Sequence, residues 1–257
     1  NGSTSLLLTM KYPKRIGSWL VSSCDLFIQF HERVVLNRIK KMDMNNDHNQ
    51  LPIIVGILIF DQVEVLDVAG PFEVFSVARL NEERRQIEPS PFRVLLLGEK
   101  QDQILAVGGL RLIPDVTFDN CPELDLLIVP GGWGTRIEVN DVKFLNRIAD
   151  RAAHTKLTAS VCTGSSLLGR IGLLDGREAT THWRAFDFLR KAAPKAKIRK
   201  DVRFTLVEPI FTSAGVSAGI DLALRIVSHF FGTEIGMATA RQMEYPYPQS
   251  DRRQRYI

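Results

Sequence analysis

The stretch with the clearest chemical content in this 257-residue chain is LTASVCTGSSLL, residues 157–168. In it a short β-prone run meets Cys162, Thr163, Gly164 and two serines before an apolar helical pattern begins. That order outlines a nucleophile elbow: a strand passing into a helix through a tight turn lifts the turn side chain out of the sheet, beside the first backbone N–H groups of the helix. Those groups favour negative charge, so a cysteine there is expected to ionise more readily than a free thiol. Alone the motif is weak, because a free cysteine is commonly just a small buried hydrophobe. Other residues are candidate partners. Asp67 follows the first apolar run and has the chemistry of an acid/base, though a solvated carboxylate or helix cap is its default reading. Gly131 and Gly132 would let a backbone N–H approach the cysteine as an oxyanion donor. His182, within ATTHW, is a candidate base whose neighbours suit a structural junction better. The small residues Ala214, Gly215 and Val216 permit close approach on the other side of the pocket.

The elements that must position these residues follow an alternating pattern. IIVGILIF (53–60) is a continuous apolar run of strand length, the signature of a parallel strand buried on both faces. A polar loop holding Asp67 is expected after it, with GP opening a helix that carries Phe72, Phe75, Val77 and Ala78. FRVLLLG (92–98) reads as a second strand, residues 104–118 as a hairpin around Gly-Gly, LDLLIVPGG (124–132) as a further buried strand, and residues 142–154 as a helix. Strands alternating with helices predict a doubly wound α/β fold: a mostly parallel sheet flanked by helices, a flavodoxin-like three-layer sandwich, with its ligand site at the carboxyl ends of the strands. Asp67, Gly131-Gly132 and Cys162 all fall at such ends.

Composition sets the frame. A hydrophobic fraction of 45% suits a globular core. No uncharged apolar run approaches the ~18 residues of a membrane span, so no membrane partner is expected. Cys24, Cys121 and Cys162 fit neither a disulfide framework nor a zinc site, and a reducing cytoplasm suits them best. The formal charge is +4, but residues 1–50 hold seven Lys/Arg against four Asp/Glu, and the remainder is nearly balanced. That balance gives no argument for nucleic-acid binding. Residues 1–50 read as an N-terminal extension, weakly structured or outside the core, with Met42 and Met44 just before the first convincing strand. Residues 51–250 form the expected α/β domain and 251–257 a basic tail.

The segments IFDQVEVLDVAGPFEVF, LIVPGGWG, SVCTGSSLLGRIGLLDGREATTHW and SAGVSAGIDLAL, with QMEYP near the end, together resemble the ThiJ/PfpI superfamily within the class I glutamine-amidotransferase-like fold. The resemblance covers residues 53 to about 248. Within it, LDxxGP, VCTGS and ATTHW are similar to the isonitrile hydratases and to the ligand domains of some AraC-type regulators. The PfpI-type peptidases usually carry His directly after the Cys, where this chain has Thr163, so a peptidase is not expected. Only QSDRRQRYI follows Pro248, too little for a helix-turn-helix domain, so a complete AraC-type regulator is not expected either.

The hydratase resemblance implies Cys162 as nucleophile, Asp67 as acid/base, Thr163 as a second hydroxyl in the site, a small-molecule substrate and a homodimer, with no metal or organic cofactor. The thiolate would attack the isonitrile carbon while protonated Asp67 supplies a proton; water activated by Asp67 would then convert the thioimidate into an N-substituted formamide. Two alternatives stay open: a cysteine-dependent glyoxalase-like enzyme acting on α-oxoaldehydes, and a non-catalytic ligand or redox sensor in which Cys162 is an oxidation-prone thiol.

Overall fold

In a computed structural model the described residues are 51–253. The expected extension over residues 1–50 and the end of the basic tail lie outside them. The first half of the described chain runs β1 (Ile53–Leu58), α1 (Val65–Val77), β2 (Phe92–Gly98), β3 (Ile104–Leu105), β4 (Arg111–Leu112), β5 (Val116–Thr117), β6 (Leu126–Val129), α2 (Thr135–Glu138) and α3 (Val142–Ala153). The second half runs β7 (Leu157–Ser160), α4 (Gly164–Arg170), β8 (Glu178–Ala179), α5 (Phe186–Ala192), β9 (Lys197–Ile198), β10 (Phe204–Val207), β11 (Ile210–Ser213), α6 (Ala218–Phe231) and α7 (Thr233–Gln242).

A seven-stranded sheet in the order β10-β11-β7-β6-β1-β2-β5 forms the centre, parallel throughout except where β10 pairs antiparallel with β11. Its middle strands are buried on both faces, which explains why their sequences are continuous apolar runs and do not alternate. Helices α1, α6 and α7 pack together, with Phe92 of β2 in ring contact with Phe75 of α1 and with Phe230 and Phe231 of α6. The second group is formed by α2, α3 and α5 around α4. The expected hairpin is present as β3 and β4, paired across Gly108 and Gly109 at φ +81° and +90°. Its last residues instead form β5, which joins the main sheet beside β2.

Register fixes where the chemistry falls. Ile57, Ile128, Ala159 and Phe211 stand in one row across β1, β6, β7 and β11. Three residues beyond that row lie Phe60, Gly131, Cys162 and Ala214. Parallel strands in register thus deliver the glycines, the cysteine and the 214–216 turn to one edge.

One expectation needs correction. The helix after β1 opens at Val65, ahead of the Gly-Pro pair, and encloses Pro71, so Asp67 lies in its first turn and not in a loop. Proline deprives the Asp67 carbonyl of its helical donor, a defect costing about 3 kcal/mol in an isolated helix. Here burial of Val68, Val74 and Phe75 and bonds from distant loops to the Asp67 side chain hold the turn.

The start of α4 packs directly on β6. A Cβ at Gly164 would lie 2.7 Å from the Pro130 carbonyl oxygen and closer still to that of Val129, both rigid backbone atoms. Gly164→Ala is therefore expected to cost about 1–3 kcal/mol by overpacking, read as a lower urea midpoint at unchanged m-value.

Candidate functional site

Cys162 sits at the junction of β7 and α4 with φ +57°, a left-handed conformation that costs a non-glycine residue about 1–3 kcal/mol. Surrounding bonds hold it there. Its N–H faces the carbonyls of Ser213 and Ala214, each at 3.2 Å, and its carbonyl accepts from the hydroxyls of Ser165 at 3.0 Å and Thr181 at 2.8 Å. The expected elbow geometry is thus present, with Cys162 only 7% exposed.

Asp67 is wholly buried, and both carboxyl oxygens accept backbone hydrogen bonds: Oδ2 from Gly131 N–H and Oδ1 from Val216 N–H, each at 3.0 Å. Its carboxyl is also coupled electrostatically to the Cys162 thiol. Val216 has φ +57°, unusual for a β-branched residue, and that conformation directs its N–H at the carboxyl. The turn is braced from beneath: the Arg203 carbonyl accepts the Ala214 N–H, and the Arg203 side chain pairs with buried Asp221.

Electrostatics couple the pair. Burial drives the Asp67 pKa up to about 8; the amides of Gly131 and Val216 and the Cys162 thiol oppose it only in part, and the charge of Glu64 adds to the rise. Burial also pushes the Cys162 thiol up, as does the charge of Asp67, while the neighbouring N–H and hydroxyl of Thr163 oppose the rise. The expectation of an easily ionised thiol is corrected accordingly: desolvation outweighs the elbow's N–H groups, and the two side chains compete for one negative charge.

Two glycines take a different part from the one expected. The Gly131 N–H is spent on Asp67 and the Gly132 N–H on Thr163 Oγ1 at 3.0 Å, so both amides organise side chains and neither is an open oxyanion donor. A Cβ on Gly131 would lie 2.5 Å from Thr163 N and 2.8 Å from Cys162 Cβ, which only glycine permits. Thr163 Oγ1 is also 3.0 Å from Thr135 Oγ1, a buried hydroxyl that bonds the Gly132 carbonyl at 2.8 Å. Gly215 separates Cys162 from His182: a Cβ there would meet the Cδ2 of His182 and lie 3.2 Å from Cys162 Sγ. His182 Nδ1 accepts the Arg184 N–H at 3.3 Å, and burial with the charges of Arg253, Arg184 and Arg136 holds its pKa down, so the ring is neutral with its hydrogen on Nε2.

Several neighbours gave no signal at the level of sequence. Thr135 opens the short helix α2 and carries no motif that marks it in the sequence. Trp133 and Trp183 directly follow the glycine pair and His182 in sequence, and the structure leaves both in solvent, 62% and 60% exposed. A groove of about 360 Å³ lined by Phe118, Lys143, Arg147 and Arg151 lies away from the elbow. No cluster of side chains fit to hold a metal ion occurs among the described residues, and none of their helices is long and apolar enough to cross a membrane.

The parallel sheet, the strained cysteine between strand and helix and the carboxyl beside it define a class, and comparison with known proteins places the chain in it. Residues 54–229 match the DJ-1/PfpI family, and the chain belongs to that family. It is 36% identical over 201 residues to an isonitrile hydratase of Pseudomonas putida, an alignment spanning 77% of this chain and 81% of that enzyme. It is 30% identical over 199 residues to the HTH-type transcriptional regulator GbdR of Pseudomonas aeruginosa, again over 77% of this chain but only 52% of the regulator. Among solved structures, a ThiJ/PfpI family protein from Pseudomonas syringae superposes with a TM-score of 0.68 at 30% identity, covering 80% of this chain and 81% of that one. DJ-1beta of Drosophila melanogaster, at 15% identity and a TM-score of 0.64, covers 77% and 100% and shares the fold.

Proposed function

We propose that this protein hydrates an isonitrile to an N-substituted formamide, with Cys162 as nucleophile, Asp67 as acid/base and Thr163 steadying the sulfur. One observation carries the reading. A wholly buried carboxyl, its oxygens fixed by two amides and its pKa raised to about 8, is coupled electrostatically to the thiol at the elbow. In the singly deprotonated pair one proton and one charge are shared, so sulfur attacks the terminal carbon as Asp67 delivers the proton to that carbon, giving R–N=CH–S–Cys162. Water then adds to the same carbon; Asp67 takes its proton and passes it to nitrogen. Collapse of R–NH–CH(OH)–S–Cys162 breaks the C–S bond, releases R–NH–CHO and returns the hydroxyl proton to the pair. Similarity to the Pseudomonas putida hydratase supports this substrate class over α-oxoaldehydes.

A second reading, a ligand-sensing domain without turnover, draws on the match to GbdR, of which the chain spans about half. Purified protein given a panel of isonitriles and, separately, methylglyoxal decides between them by NMR. Appearance of a formyl proton supports the hydratase; lactate in its place would shift the reading to a glyoxalase-like enzyme. Ligand binding without product supports the sensor.

A further inference from the structure

Three guanidinium groups converge on the loop that carries His182, and the chemistry above does not use them. Arg136 follows Thr135 and lies 4.4 Å over the Trp133 ring and 5.4 Å over Phe188 of α5. Arg184 lies 4.5 Å over Trp183, the neighbour of His182. Arg253 comes from the C-terminal segment, whose Asp251 and Arg253 exchange backbone bonds with Arg203 and Asp201. Its Nη2 donates to the Thr181 carbonyl and, at 3.1 Å, to the Thr180 hydroxyl, and its guanidinium lies 5.2 Å over Phe186 of α5.

Neither Arg136, Arg184 nor Arg253 is in an ion pair among the described residues. The carboxylate nearest in charge to Arg253 is Asp201, itself held at two points by Arg199 at 3.1 Å. The charges of Arg253, Arg184 and Arg136, after burial, also hold the His182 pKa down. Stacking on aromatic planes orders each guanidinium in advance and lowers the cost of a planar, two-pronged bond to an oxyanion. His182 lies beside Gly215, and Gly215 beside the sulfur, so the loop that carries Arg184 and accepts a hydrogen bond from Arg253 adjoins the reacting residue.

We propose that Arg136, Arg184 and Arg253 form an anion-recognition rim beside Cys162 and that the substrate is a small carboxylate, which on the hydratase reading makes it an isocyano acid. The isonitrile end would reach the sulfur and the carboxylate would lie against the guanidinium forks. Trp133 and Trp183 supply the apolar walls between.

Two arms test this and separate it from the hydratase reading on which the isonitrile part rests. In the first, kcat/KM is measured for isocyanoacetate and for its neutral ethyl ester. The acid is expected to be preferred, and the preference to fall by up to about fivefold for each guanidinium removed in Arg136→Gln and Arg184→Gln, with Arg184→Lys retaining part of it. In the second, the alkylation rates of Cys162 by iodoacetate and by iodoacetamide are compared at pH 9, with glutathione as reference thiol. Sulfur displaces iodide in both, and only the charge of the reagent differs. The iodoacetate-to-iodoacetamide ratio at Cys162 is expected to exceed that of glutathione and to drop in the double glutamine variant. If both isonitriles turn over equally and the alkylation ratio matches glutathione, the rim is overturned while the hydratase stands. An arginine-dependent ratio with no isonitrile turnover keeps the rim and removes the isocyano acid.

Discussion

Cys162→Ala is expected to abolish turnover, lowering kcat by about 10⁴-fold or more, because no other nucleophile stands where the sulfur does and the covalent intermediate has nothing to form on. The fold should survive. Alanine at φ +57° carries the same backbone strain, and the bonds that hold the elbow run through the backbone of residue 162 and the hydroxyls of Ser165 and Thr181. Cys162→Gly makes the complementary point: the strain of about 1–3 kcal/mol is relieved at the cost of little packing, so the glycine variant should be inactive yet melt no lower than the alanine variant. Cys121 is a buried core residue in the loop between β5 and β6, outside the turns that hold Cys162 and its bonding partners, so Cys121→Ala should retain turnover. Formamide production and thermal melts on the three variants check all of this. A Cys162→Ala protein that still made formamide would remove the elbow from the mechanism.

Much of this arrangement was legible in the sequence because the sheet is parallel and its centre is buried. IIVGILIF, LDLLIVP and LTASV could only be strands covered on both faces, and once they were, their carboxyl ends had to lie together. The α/β class, the elbow at Cys162 and the proximity of Asp67, Gly131 and the 214–216 turn follow from that one regularity. What sequence did not carry is direction. Nothing in AGP announces that the helix begins before the proline, since tertiary bonds from Gly131 and Val216 to Asp67 outweigh a local stop signal. Nor does a glycine pair reveal which acceptor its amides choose; Gly131 and Gly132 serve Asp67 and Thr163 and are not left open. The ionisation of the thiol is illegible for the same reason, because a motif shows the N–H groups near a cysteine but not how much water is taken from it. The arginine rim is assembled from α2, the loop before α5 and the chain's C-terminal segment, residues too far apart in sequence for any spacing to link.

Asp67→Asn should lower turnover by about 10²–10⁴-fold, the range typical of losing general acid–base catalysis, while making Cys162 easier to alkylate. The opposite signs follow from one charge. The carboxylate of Asp67 raises the thiol's pKa, so replacing it with a neutral amide releases the sulfur toward thiolate even as the proton donor is lost. On the proposed mechanism the active form is the pair with one proton removed, so kcat/KM is expected to rise with pH through an apparent pKa of about 8 that belongs to both groups, and that rise is expected to be absent from the variant. Stability carries the same signature with its own sign. The folded protein holds the Asp67 proton up to about pH 8, whereas an unfolded chain releases it near 3.8. Between those limits the native state binds more protons, and stability falls as pH rises, by up to about 1.4 kcal/mol per unit for this group. Asparagine cannot accept from both Gly131 and Val216, since its amide nitrogen must face one of them, which costs about 1–3 kcal/mol at any pH. The variant should therefore be less stable than wild type at pH 5 and approach or pass it by pH 9, as urea titrations at the two pH values would show. A stability gap that does not change with pH, or alkylation that slows together with turnover, would mean that Asp67 holds no proton for the sulfur and acts only as a brace between the two loops.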